Sequence, residues 1–86
     1  MKRIVVGMSG SSGVIYGIRI LEILRENPEV QTHLILSQSA KMNIGIETDW
    51  PLQDVEQLAD EVHNNKNISA SIASGSFHTD GMIVVP

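Results

Sequence analysis

Gly7, Gly10 and Gly13, with Ser9, Ser11 and Ser12 between them, stand after a β-branched run and before a long apolar stretch. Glycines let a backbone turn sharply and come close to a ligand, and a helix that starts just after them presents unpaired N–H groups with partial positive charge. Serine hydroxyls add donors. The segment has the layout of a phosphate cradle, whereas the plain reading is that any tight βα turn collects glycine and serine.

The three-residue glycine repeat is neither the dinucleotide fingerprint nor a P-loop, which needs a Gly-Lys-Ser/Thr ending. A nicotinamide enzyme also places an acid at the end of its second strand for the ribose hydroxyls. Here that end reads Leu36-Ser37-Gln38, with no carboxylate. A mononucleotide such as FMN, or a simple phosphate ester, fits better. Ser37 either completes the cradle with its hydroxyl or caps the helix that follows, a role serine fills well.

Glu47 has Asp49 and Trp50 close behind it. A carboxylate beside an apolar ring can have a raised pKa and move protons, whereas the plain reading is a set of solvated acids at a helix end. The run Ser69-Ala70-Ser71-Ile72-Ala73-Ser74-Gly75-Ser76-Phe77 could turn backbone donors toward a ligand or serve as a connection. His33, His63 and His78 have no spacing that sets them on one helix or strand face, so no metal is assigned. His33 is expected to take a structural hydrogen bond inside a strand.

These residues need elements to position them. Residues 4–6 are β-branched and apolar without a polar face, the pattern of a strand covered on both sides. From 13 to about 26 apolar residues cover most of a helix circumference, so one side faces the sheet and the rest meets a subunit or further segment. Asn27-Pro28 stops that helix, and 30–36 forms a second strand. Strand, helix and strand within about 35 residues make a right-handed βαβ unit with parallel strands. A short helix is expected from 37 to about 46. Another should run over 52–61, with Pro51 at its start and Asp54 and Glu56 in or near its first turn. Residues 63–76 read as loop or loose helix, and 81–86 as a buried strand. The fold class is α/β, an open parallel sheet with flanking helices.

Composition narrows the partners. The chain has 86 residues, net charge −4, three aromatics and no cysteine. One small domain fits that length. No basic stripe is available for a nucleic-acid backbone, and the opening strand is too short for a signal peptide or membrane span. Without cysteine there are no disulfides, which fits a cytoplasmic protein. A final strand with no crossover after it leaves an apolar edge bare, so the chain is expected to be a truncated, N-terminal part of a longer protein.

Taken together, Val5-Val6-Gly7-Met8-Ser9-Gly10-Ser11-Ser12-Gly13 with Ile15-Tyr16-Gly17, Thr32-His33-Leu34 with Leu36-Ser37, Glu47-Thr48-Asp49, and Ile72-Ala73-Ser74-Gly75-Ser76-Phe77 with Asp80-Gly81-Met82 resemble the UbiX-type flavin prenyltransferases. That group includes the B subunits of phenolic acid and vanillate decarboxylase systems. The resemblance implies a flavodoxin-like or Rossmann-like domain in which 1–86 is the N-terminal part of a single flavoprotein domain. It also implies a large homo-oligomer, commonly a dodecamer. The implied reaction moves a dimethylallyl group from dimethylallyl phosphate to reduced FMN, and the prenylated FMN serves a UbiD-type decarboxylase.

Carried over by position, the resemblance assigns Gly10, Ser11, Ser12 and Ser37 to FMN contacts, with Ser11 where many relatives have alanine. It assigns Glu47 to the active site and Ser74, Gly75 and Ser76 to a loop near the flavin. The family's later loop for FMN, and its residues for the allylic phosphate, have no counterpart in these 86 residues. Two other readings stay open: a non-catalytic accessory subunit of a hydroxyarylic acid decarboxylase, and a flavoprotein of the cysteine-decarboxylase type.

Overall fold

Four parallel strands in the order β3-β2-β1-β4 form one sheet in the computed structural model, which describes residues 1–10, 13–63, 75 and 78–86. In chain order the elements are β1 (Lys2–Met8), α1 (Val14–Arg25), β2 (Val30–Leu36), α2 (Gln38–Glu47), α3 (Leu52–Gln57), β3 (Glu61–His63) and β4 (Gly81–Val85). Fold class and parallel topology agree with the sequence reading.

β1 is the central strand, paired with β2 from Lys2↔Val30 to Met8↔Leu36 and with β4 from Ile4↔Gly81 to Met8↔Val85. Val5 and Val6 point to opposite faces of the sheet, and both are fully buried. The two crossovers β1–β2 and β2–β3 step in the same direction across the sheet. Right-handed connections therefore bring α1 and α2 to one face. There Val6, Met8, Leu34, Leu36 and Val85 of the strands meet Val14, Ile18 and Leu21 of α1, Ala40 and Ile44 of α2, and Val55 of α3. Burial of these aliphatic side chains is the main favourable term holding the layers together. The outer side of α1 keeps Ile15, Tyr16 and Ile23 exposed, in line with its all-round apolar sequence.

Local chemistry sets the ends of the elements. Asn27 Oδ1 accepts the Glu29 N–H at 2.9 Å, and the Val30 N–H reaches the Asn27 carbonyl at 3.1 Å, so Asn27-Pro28 turns the chain into β2. Thr48 closes α2 with its Oγ1 on the Ile44 carbonyl at 2.6 Å, and the Trp50 N–H donates to the same hydroxyl at 3.1 Å.

The third helix is shorter than its sequence pattern predicts, ending at Gln57 rather than near 61. Residues Glu61, Val62 and His63 form an edge strand instead. The cause is Asp60. Its N–H donates to the Thr32 carbonyl at 3.0 Å and its Oδ2 accepts the Thr32 N–H at 2.7 Å, which pulls the chain into extended pairing with β2. At the other side of the sheet Asp80 does the same to Arg3: the Asp80 N–H donates to the Arg3 carbonyl, and Asp80 Oδ2 accepts the Arg3 N–H, both at 2.9 Å. An aspartate just ahead of each flanking strand thus grips the neighbouring strand by its N–H and C=O together.

Candidate functional site

The carboxyl ends of β1, β2 and β4 converge, and hydrogen bonds stitch them. The Ser9 N–H donates to the Val85 carbonyl at 3.0 Å and the Ser37 N–H to the Met8 carbonyl at 3.1 Å. In an open parallel sheet this is the edge at which ligands bind.

Ser37 performs the capping role. Its Oγ accepts the Ala40 N–H at 3.0 Å, and its hydroxyl proton goes to the Ser9 carbonyl at 2.6 Å. The hydroxyl therefore braces the glycine turn from below while one lone pair faces outward. Asn43, one turn further along α2, donates its amide to the Gly10 carbonyl. Two successive turn carbonyls are thus held by α2. Because C=O and N–H point oppositely in a trans peptide, fixing the Ser9 carbonyl aims the Gly10 N–H away from Ser37.

Gly10 is buried, with φ at +81°. A Cβ there would lie 2.4 Å from the Ala40 N and 2.5 Å from its Cα, so turn and helix touch backbone to backbone. Gly13 has φ +88° and is the N-cap of α1, with no side-chain cap. Ser9, Gly10, Ser39, Met42 and Asn43 line an open cleft of about 240 Å³. An apolar hollow of about 420 Å³ lies between α1 and β4, lined by Gly13, Tyr16, Ile20, Ile83, Val84, Val85 and Pro86.

Of the residues singled out in the sequence, the structure brings Gly10 and Ser37 together. Ser11, Ser12, Ser74 and Ser76 lie outside the described residues, and Gly75 is an exposed turn residue with φ +77°. Glu47 is exposed at the last residue of α2, one helical turn beyond Asn43, whose amide reaches the Gly10 carbonyl. Asn43 and Ser39 were missed, since an asparagine inside a helix gives no signal until its neighbour across the turn is known.

The histidines form a second grouping. His33 on β2 is 2 % exposed, and its Nδ1 lies 2.6 Å from Nε2 of His63 on β3 and 3.4 Å from Oε2 of Glu61. Its Nε2 lies 2.9 Å from Oε1 of Gln31. Loss of hydration on burial pushes the His33 pKa below the ordinary histidine value, against the opposing pull of Glu61. The expected hydrogen bond of His33 is present. Spacing gave no hint of the partner, 30 residues away, because only the β2–β3 register sets them side by side.

The family model described as Flavoprotein matches residues 1–86. A probable UbiX-like flavin prenyltransferase of Sedimentibacter hydroxybenzoicus is 56% identical over 84 residues, which is 98% of this chain and 44% of the relative. Flavin prenyltransferase UbiX of Escherichia coli strain K12 is 50% identical over 86 residues, all of this chain and 46% of the relative. Among solved structures, a dodecameric FMN-dependent UbiX-like decarboxylase from Escherichia coli O157:H7 superposes with a TM-score of 0.87 at 49% identity, over 98% of this chain and 45% of that one. AnUbiX (PadA1) in complex with FMN and dimethylallyl pyrophosphate gives the same TM-score at 48% identity, over 99% and 45%. The chain spans less than half the length of these relatives. With its parallel sheet, glycine turn and a match from first residue to last, the chain belongs to the flavoprotein family.

Proposed function

We propose that this chain is the phosphate-binding portion of an FMN-dependent prenyltransferase, which moves a dimethylallyl group from dimethylallyl phosphate to reduced FMN. The observation that carries this reading is the braced turn: Ser37 and Asn43 hold the Ser9 and Gly10 carbonyls, which leaves the Gly10 N–H for an anion at the carboxyl edge of the sheet. The fit to FMN is that of its phosphate end. Ser9, Gly10 and Ser39 line the cleft, Ser37 braces the turn with its hydroxyl, and no acid is present at the end of β2 to favour a dinucleotide. FMN, when bound, supplies the ring that accepts the allyl group. Similarity to proteins named as flavin prenyltransferases, and to one solved with FMN and dimethylallyl pyrophosphate, supports the same assignment.

Within this reading Gly10, Ser11, Ser12 and Ser37 contact FMN, and Ser74, Gly75 and Ser76 lie near the flavin. Glu47 is the candidate active-site carboxylate. It stands exposed at the end of α2, one helical turn beyond Asn43, and the same reading places the chain in a homo-oligomer. The exposed Ile15, Tyr16 and Ile23 of α1 suit such assembly, and a similar protein is described as dodecameric. The product would pass to a UbiD-type aromatic acid decarboxylase in the cytoplasm. Among the described residues no helix is long and apolar enough to cross a membrane.

The test is anaerobic incubation of the full-length protein with reduced FMN and dimethylallyl phosphate, followed by mass spectrometry of the released flavin. A gain of one prenyl unit is expected. Bound flavin without that gain would favour the accessory-subunit reading.

A further inference from the structure

On the sheet face away from the helices, His33, Glu61 and His63 bring potential metal-ligand atoms close together. Glu61 and His63 are two residues apart on β3 and so share a face, and the register sets His33 directly beside Glu61. All three ligand atoms lie within 4.8 Å of one another. The sequence spacing offered no metal set, and only the pairing of β2 with β3 assembles one.

We propose that His33, His63 and Glu61 bind a divalent transition cation of the zinc class, which staples the edge strand β3 to β2.

Three observations support this. First, the donor set of two imidazoles and a carboxylate suits zinc and leaves a fourth position for water. Second, Gln31 Oε1 accepts the Nε2–H of His33 at 2.9 Å, which fixes the tautomer and turns the Nδ1 lone pair toward the cluster. An oriented imidazole of this kind is the usual outer support of a metal ligand. Third, the cluster is electron-rich. In that tautomer the Nδ1 of His33 accepts the His63 Nε2–H at 2.6 Å while standing 3.4 Å from the Glu61 carboxylate, a contact of two acceptors that a cation would answer.

The ring geometry says what the cation must change. Ring centroids are 4.9 Å apart at an interplanar angle of 16°. That separation exceeds the nitrogen contact by little more than two ring radii, so the rings meet head-on with one proton on the line between them. Zinc–nitrogen bonds of about 2.05 Å set nitrogens about 3.3 Å apart in a tetrahedron. Loading therefore moves the proton of His63 to its other nitrogen, opens the contact by about 0.7 Å and tilts each ring by about 35° off the line between them. The part that must shift is β3, three residues long, at the sheet edge, with Glu61 and Val62 exposed. The Glu61 to His33 distance already matches the spacing of two ligands.

The full-length protein, stripped with chelator and dialysed, is titrated with zinc chloride by calorimetry and with cobalt(II) by visible absorption. One ion per chain, a rise in melting temperature, and cobalt bands of a low-coordinate N/O site are expected. His63→Gln should abolish binding. Glu61→Gln, at an exposed side chain that does not threaten folding, should weaken it, and Gln31→Leu should weaken it about tenfold. His78→Gln should leave it unchanged, since His78 stands apart on the exposed Asp80 side. Absence of saturable binding to the wild-type chain overturns the proposal. So does binding that survives both His63→Gln and Glu61→Gln.

Discussion

Asp80 grips Arg3 twice, taking the Arg3 N–H on its Oδ2 and giving its own N–H to the Arg3 carbonyl, each at 2.9 Å. The two contacts set the β1–β4 register from its first residue. The Arg3 N–H favours the ionised carboxylate, and His78 adds to this, so the Asp80 pKa is held below the ordinary aspartate value.

A pH dependence follows. The folded pKa is depressed, so the stability from this contact is complete above the unfolded value of about 3.9. It is lost as pH falls through the lower folded value. Urea titrations of wild type and Asp80→Asn should show a constant stability difference near neutrality that shrinks as the pH drops below about 4. A difference that grew in acid would contradict the assignment.

Asp60→Ala should be more damaging than its exposed position implies. Thr32 is 1 % exposed, and losing the Asp60 carboxylate leaves its N–H without that acceptor, at a cost of about 1–3 kcal/mol. Hydrogen exchange checks this residue by residue: the Thr32 amide should exchange faster in the variant, while Val6 at the sheet centre changes least.

Ser37→Ala removes a helix cap, at about 1 kcal/mol, and frees the Ser9 carbonyl. Thermal unfolding should report the first effect and FMN titration of the full-length protein the second. A variant that loses stability but keeps its flavin affinity would confine Ser37 to capping.

Gly10→Ala should be the most severe change at the turn. The left-handed φ alone costs a non-glycine residue about 1–3 kcal/mol, and the added methyl would meet the Ala40 backbone, which cannot rotate away. Loss of FMN binding is expected even in molecules that still fold. Asn43→Leu, which leaves φ untouched, should weaken binding less, and comparing the two separates the backbone from its brace.

What could be read in advance depended on the range of the interaction. β2 was legible from 30 to 36 because Asn27-Pro28 ends the preceding helix and Val30, Thr32 and the apolar 34–36 suit a strand, and α2 because Ser37 is a good cap. β3 was not legible. Its three residues adopt a strand through Asp60 gripping Thr32, a contact that no periodicity encodes. The turn announced an anion site through glycine and serine, yet the donors that shape it, Ser37 and Asn43, sit 28 and 33 residues from their acceptors. The His33–His63 pair was invisible for the same reason.

The strand order also carries a cost in time. β1 gains its first partner once 30–36 has been made, but its second edge must wait for 81–85, about fifty residues later on the ribosome. Through that interval a buried-type strand has backbone donors and acceptors open to any neighbouring nascent chain. β1, made before β2 and β4, is thus closed only after both, and chaperone demand should peak over the stretch between them.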